Sequence, residues 1–284
     1  MKHRLLAAAA IAAGAMLALP APSLAQTPEA WPGIVMSVSG AAAISTRGMP
    51  PGSEIWAVWY SLPSGKAVEE GATAAKWAYV EMTLSGSAVV TGGPTPMCQS
   101  IGAGGVPSGT SERVTDPGDV EICNFASLPG TRTENRGTQP YVFAGLAVGG
   151  PWKEDMEDDV DLYLKAKGQA KAAHVTPAQF RDVEKEILAA GAMTVVIRNV
   201  TMAPGTQIVT TDRYPTLRMV ETGKLVLSST PKGARGPIRK TLEALDFMEW
   251  TPAKADEQFV LSNDSDQPVQ FVEWNVAPAQ GAKP

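Results

Sequence analysis

Hydrophobic and polar residues alternate with a period of two over much of this chain. Ile55-Trp-Ala-Val-Trp-Tyr60, Trp77-Ala-Tyr-Val-Glu-Met-Thr-Leu84 and Thr216-Leu-Arg-Met-Val220 are clear cases. That period sends neighbouring side chains to opposite faces of a strand, so the pattern predicts a mainly β protein. The texture changes once. Between Lys153 and Lys167, Met156, Val160, Tyr163 and Leu164 recur at helical spacing. Thr176-Pro-Ala-Gln179 then reads as a helix start, with Thr as cap, Pro at the first position and Gln three residues after the cap. Phe180, Val183 and Ile187 extend an apolar stripe to Gly191, a natural stop. The spacing therefore predicts two β units joined by a helical segment.

The two units match each other. Thr133-Glu-Asn-Arg-Gly-Thr-Gln-Pro-Tyr-Val-Phe-Ala-Gly-Leu-Ala-Val148 aligns without a gap on Leu261-Ser-Asn-Asp-Ser-Asp-Gln-Pro-Val-Gln-Phe-Val-Glu-Trp-Asn-Val276. The alignment pairs Asn135 with Asn263, Gln139 with Gln267, Pro140 with Pro268, Phe143 with Phe271 and Val148 with Val276. Upstream, Tyr60-Ser-Leu-Pro-Ser-Gly65 corresponds to Val200-Thr-Met-Ala-Pro-Gly205. Strands running into the turn glycines Gly86 and Gly223 correspond as well. Matching order at three places points to duplication.

These motifs resemble the two-domain cupins. Ala203-Pro204-Gly205 through Val220-Glu-Thr-Gly-Lys-Leu225 is similar to the first cupin motif. Trp250-Thr-Pro252 with Phe259-Val-Leu-Ser-Asn263 is similar to the second, and Pro129-Gly-Thr-Arg-Thr-Glu-Asn135 is its counterpart in the first copy. The resemblance implies two tandem jelly-roll β-barrels, at 26–150 and 193–284, with a helical linker over 151–192. Metal-dependent cupins use two His and a Glu from the first motif and a third His four residues before the Asn. Here those last positions are Thr131 and Phe259, and Thr210, Thr211, Asp212 and Arg213 stand around the first ones in the second copy. The one His beyond the N-terminal segment is His174, in the linker. A transition-metal site would lack imidazole and thiolate ligands, so no metal or other cofactor is expected.

The N-terminus adds a location. Lys2, His3 and Arg4 precede an apolar run from Leu5 to about Leu19, then Pro20 and Ser23-Leu24-Ala25. This is the pattern of a secretory signal peptide, residues 1–25, cut after Ala25, and the run is too short to span a bilayer. A periplasmic or secreted protein, free of the membrane after cleavage, is expected. The formal net charge of −5 has no Lys/Arg cluster beside it, which excludes a nucleic-acid partner. In an oxidising compartment Cys98 and Cys123 are expected to pair, worth about 3.5 kcal/mol in the chain-entropy model. They bracket much of the Gly/Pro/Ser/Thr-rich stretch 92–119. The acidic group from Glu154 to Asp161 lacks the spaced Gly of a calcium loop and reads as a solvated helix start.

Counting back from the turn glycines, Trp77, Tyr79, Glu81 and Thr83 are expected to face into the first barrel, and Thr216, Arg218 and Val220 into the second. Glu81 and Arg218 then occupy equivalent positions. Trp56 and Tyr60 lie on one strand face and Trp59 on the other, so the first copy is rich in aromatic residues. Aromatic walls with a few polar groups suit a small organic ligand such as a sugar or aromatic acid. Trp77, Tyr79 and Glu81 are the preferred ligand-binding residues, with Arg218 as an alternative carboxylate anchor. Two other functions fit the same residues. One is a metal-independent isomerase- or lyase-like enzyme using Tyr79, Glu81 or Arg218. The other is a structural or interaction protein with filled barrels. Self-association is compatible with either.

Overall fold

The computed structural model describes residues 33–49, 52–70, 77–92, 98–101, 112–125, 131–149, 174–180, 184–210, 214–229, 238–250 and 259–279. The expected signal segment and the predicted helix at 153–167 lie outside the described residues. The first half holds β1 (Ile34–Ser45), β2 (Glu54–Leu62), β3 (Ala67–Glu70), β4 (Trp77–Ser85) and β5 (Ala88–Gly92). It continues with β6 (Cys98–Ile101), β7 (Glu112–Thr115), β8 (Val120–Phe125), β9 (Thr131–Glu134) and β10 (Tyr141–Gly149). Next come β11 (His174–Gln179) and a short helix, α1 (Glu184–Ala189). The second half holds β12 (Ala192–Met202), β13 (Gln207–Thr210), β14 (Thr216–Thr222) and β15 (Leu225–Ser229). β16 (Ile238–Leu242), β17 (Phe247–Trp250), β18 (Phe259–Ser262) and β19 (Val269–Pro278) complete it. The expectation of a mainly β chain is met.

Each half builds a large and a small antiparallel sheet. The first pairs β11-β2-β10-β4-β8-β6 with β3-β9-β5-β7, and the second pairs β1-β12-β19-β14-β17 with β13-β18-β15-β16. Side chains from both sheets close each interior. Tyr60, Leu62, Val68, Ala88 and Tyr141 pack one end of the first, and Met202, Ile208, Leu225, Leu261 and Phe271 are among those packing the second.

Sheet membership crosses the boundaries of the sequence repeat. β1, from the first half, runs antiparallel along β12, from Ile34 opposite Met202 to Ser45 opposite Ala192. β11 returns the exchange by pairing with β2, with His174 opposite Ser61 and Gln179 opposite Trp56. This corrects the helix start expected at Thr176: Thr176-Pro-Ala-Gln179 is extended, and helix appears only over Glu184–Ala189. The edge of the first large sheet offers a ladder that the local capping signal cannot match. Pro177 is tolerated there because β11 is itself the edge strand. Phe180 and Ile187 of the expected stripe are nevertheless buried, and Gly191 ends the turn with a positive φ of 73°.

The duplication is visible in hydrogen bonds. Asn135 is buried and its amide donates to the carbonyls of Leu62 and Gln139, both at 2.8 Å. Asn263 donates likewise to Met202 at 3.0 Å and Gln267 at 2.8 Å. Each Asn also takes the amide of its turn partner, Gly137 or Ser265, onto Oδ1. Gly86 and Gly223 occupy equivalent turns at φ 68° and 84°. A Cβ there would collide with the carbonyl of Pro140 or approach that of Pro268 to 2.8 Å, so only glycine fits. The strand leading into each turn carries the same bulge, at Leu84 in β4 and Glu221 in β14.

The large sheets pack face to face across one shared core. Ile55, Ala57, Val80, Met82, Ala144 and Leu146 meet Met193, Val195, Ile197, Leu217, Met219, Val272 and Trp274 in a single cluster. Burying each large aliphatic side chain contributes about 2 kcal/mol. Trp274, fully buried, donates its indole N–H to the Gly145 carbonyl of the other half at 2.9 Å.

Candidate functional site

Because one face of each large sheet lies in the shared core, strand alternation turns the other face into a barrel. On β4, Ala78, Val80, Met82 and Leu84 belong to the shared core, so Tyr79, Glu81 and Thr83 face the first barrel. Trp77 has the same parity, and its side chain lies outside the described residues. On β14, Leu217 and Met219 belong to the shared core, so Thr216, Arg218 and Val220 face the second. The inward positions therefore fall where the turn count places them. Trp59 points the opposite way and donates to Glu221 of the other half at 2.8 Å. Burial raises the Glu221 carboxyl above its usual value, although Trp59 and Asn199 both donate to it.

Inside the first barrel the strands form rungs. Phe143 lies between Tyr60 and Thr83, and its ring stacks on Tyr60 with centroids 4.7 Å apart. Gly145 lies between Val58 and Glu81, and Glu81 is opposite Glu121. Ala147 lies between Trp56 and Tyr79, and Gly149 between Glu54 and Trp77. The inward face of β10 thus tapers from Tyr141 and Phe143 to Gly145, Ala147 and Gly149. An aromatic floor gives way to a strip almost bare of side chains, flanked by Trp56 and Tyr79 and by Glu81. Trp56, Tyr79 and Glu81 are each only partly buried. Tyr141 is buried, and its hydroxyl is pushed well above the usual tyrosine value by burial and by the charges of Glu81 and Glu121. The nearby hydroxyls of Thr115 and Thr83 pull the other way. The phenol stays protonated at any physiological pH and serves as a donor.

The same rungs of the second barrel are filled. Where the first has Gly145 and Ala147, the second has Glu273 and Asn275. Glu273 lies between Arg198 and Arg218. Arg198 Nη1 reaches Glu273 Oε1 at 2.8 Å and Arg218 Nη2 reaches Oε2 at 2.6 Å. Burial pushes the Glu273 carboxyl up, but Arg218 and then Arg198 more than offset this and hold it below the ordinary carboxylate range. Arg218 is fully buried and its guanidinium covers the Phe259 ring at 4.7 Å. One rung further, Asn275 donates to Thr216 Oγ1 at 2.9 Å. The expected carboxylate anchor is therefore engaged by a carboxylate of the protein itself.

Sequence reasoning missed Glu121, Tyr141, Arg198 and Glu273. The ungapped alignment sets Glu273 on Gly145, and the parity of Phe271, Glu273 and Asn275 marks all three as inward. A charge at that register beside Arg218 was the available signal. For the metal of the cupin family the residues present do not fit. The residue in the third-histidine position of the second barrel is Phe259, capped by a guanidinium, and a cation there repels a metal ion. Among the described residues no three His, Cys, Asp or Glu side chains come together to hold a metal. Cys98 lies opposite Cys123 in the β6–β8 register, and their side chains lie outside the described residues.

The chain matches no protein-family model and no curated protein sequence. It is similar in structure to a Lactobacillus farciminis oxalate decarboxylase solved with formate, with TM-score 0.46, 14% identity, and 84% of this chain and 81% of that chain covered. It is likewise similar to an oxalate decarboxylase from Bacillus subtilis, with TM-score 0.46, 13% identity, and 86% and 75% covered. No residue role carries over at this level of likeness.

The Arg218–Glu273 pair yields a stability prediction. Arg218→Ala leaves a buried carboxylate short of one partner and should cost about 3–5 kcal/mol. The double change Arg218→Met with Glu273→Leu should cost far less, because it removes both charges. Urea unfolding of the two variants decides. Equal losses would show that the pair is not the unit argued here.

Proposed function

We propose that this is an exported, cupin-like protein that binds a small organic molecule in its first barrel. The observation that carries the reading is the bare Gly145-Ala147-Gly149 strip. It runs above an aromatic floor and between partly exposed Trp56, Tyr79 and Glu81, while the equivalent strip of the second barrel is filled. A concave apolar wall with few polar groups is the usual composition of a small-molecule site. The aromatic rings supply stacking surface, Glu81 and Glu121 accept hydrogen bonds, and Tyr141 donates one. A sugar or an aromatic acid is the ligand class we propose.

A catalytic version rests on one further feature. Glu81 and Glu121 stand opposite each other on the inner wall, within electrostatic reach of a phenol that stays protonated. A carboxylate base with a phenol donor suits proton transfer of the isomerase or lyase kind.

The test is a thermal-shift screen of the mature protein against neutral sugars and aromatic acids, followed by calorimetry on any compound that stabilises it. Glu81→Ala should lower affinity at least tenfold, and Ala147→Phe, which fills the strip, should abolish binding in a folded protein. A ligand that binds both variants like the parent would exclude the first barrel. Export and the Cys98–Cys123 disulfide belong to the same reading. The intact mass of the extracytoplasmic protein should match a chain that begins at Gln26 and is lighter by two hydrogens. A mass that includes Met1, or that of two free thiols, would contradict them.

A further inference from the structure

We propose that Glu221 is a pH-sensitive latch on the seam between the two large sheets, holding them most tightly when its carboxyl is protonated. The latch uses none of the residues assigned to the first barrel, and its test needs no ligand.

The scaffold does not ask for a carboxyl at this place. Glu221 is the bulge residue of β14, and its counterpart in β4 is Leu84, buried in the shared core. An apolar residue therefore suits the bulge. The two donors to Glu221 are counterparts as well. Trp59 precedes Tyr60 and Asn199 precedes Val200 in the aligned segments, so the same position of each repeat supplies one donor. Trp59 Nε1 donates to Oε1 at 2.8 Å from the first half, and Asn199 Nδ2 donates to Oε2 at 3.1 Å from the second. Gln270 Nε2 donates in turn to Asn199 Oδ1 at 3.2 Å.

Both donors to the carboxyl are neutral. Glu273, in the same half, shows the alternative, a buried carboxylate held between two guanidinium groups. Among the described residues no ion pair reaches Glu221. On the seam face β2 adds Ala57 and Ser61, β12 adds Ile197 and Thr201, and β19 adds Val272, none of them charged. The ionisable positions around them are His174, opposite Ser61, and Glu249, opposite Leu217. Glu243 and Asp246 lie in the turn that bonds the Val220 backbone, and Glu243 pairs with Lys224 at 2.7 Å. A partly buried carboxylate with no cation beside it is the form that burial penalises.

The neutral form fits the same pocket of side chains. Protonation adds one O–H donor, and the Asn199 and Gln270 amides can each turn over in place. Glu221 then donates to Asn199 Oδ1, Asn199 donates to Gln270 Oε1, and the Trp59 bond is kept. Every contact survives and the charge is gone. Burial raises the folded-state value of Glu221, against the pull of its two donors. Its stabilisation is therefore full below the ordinary carboxylate range and is lost as pH rises through the raised value. β2 carries Trp59 on the seam and Trp56 on the first barrel's wall, and β14 carries Glu221 and Arg218 likewise. The latch thus joins one wall of each barrel.

The experiment compares urea unfolding of the mature protein and of Glu221→Gln, which keeps the shape and removes the charge. From about pH 5 to about pH 8 the unfolding constant of the parent should rise at least about threefold more than that of the variant. Glu221→Leu, which copies Leu84, should behave like Glu221→Gln and serves if the latter fails to fold. Trp59→Phe, which removes a donor to the anion, should widen the pH response. Hydrogen exchange, corrected for its intrinsic pH dependence, locates the effect. β2 and β14 should be better protected at the lower pH in the parent and equally protected at both in Glu221→Gln. An identical pH response in parent and both variants would overturn the proposal. So would a parent that gains stability over Glu221→Gln as pH rises, or exchange at β2 and β14 that ignores the substitution.

Discussion

The face-to-face packing of the two large sheets sets the rest of the structure. A strand has two faces, and here one face of each central strand is committed to the shared core. The residues left to line each barrel interior are then those of the other face, at every second position. That is why Tyr79, Glu81 and Thr83 line one interior and Thr216, Arg218 and Val220 the other. Strand exchange reinforces the constraint. β1 completes the large sheet of the second unit and β11 that of the first, so each barrel has a wall supplied from beyond its own repeat. The indole of Trp274 ties the core together at Gly145, the first residue of the bare strip.

On this common frame the copies have kept the scaffold and changed the lining. The buried Asn135 and Asn263, the turn glycines Gly86 and Gly223, and the bulges at Leu84 and Glu221 repeat almost atom for atom. Each is a backbone device, and losing one would leave buried carbonyls unpaired or force a side chain into a closed turn. The inward rungs are under no such obligation. One copy places glycine and alanine beside Glu81, the other places Glu273 and Asn275 beside Arg218. One frame can thus carry two differently written interiors.

Much of this was legible before any coordinates. The internal repeat located the paired turns, and the two-residue period assigned inward and outward faces on β4 and β14. The turn glycines set the count. Tertiary competition was not legible. Thr176-Pro-Ala-Gln179 satisfies every local rule for starting a helix, yet a free sheet edge beside β2 offers it more hydrogen bonds. Nothing local in Ile34–Ser45 shows that it pairs with the second repeat rather than the first. The internal partner of Arg218 was not legible for a similar reason. Its partner Glu273 is far along the chain and meets it only once β14 and β19 are in register.

The claim that the two units form one cooperative body is tested most directly by separating them. Residues 26–150 and 193–284, produced alone, each lack an edge strand that lies outside their own range, β11 for the first and β1 for the second, and each expose a face of the shared core. Urea unfolding followed by circular dichroism should show a single cooperative transition for the intact mature chain and none for either fragment. A sharp transition in the isolated 193–284 fragment would contradict the account, since a second barrel that folds without β1 and without its partner sheet does not depend on either.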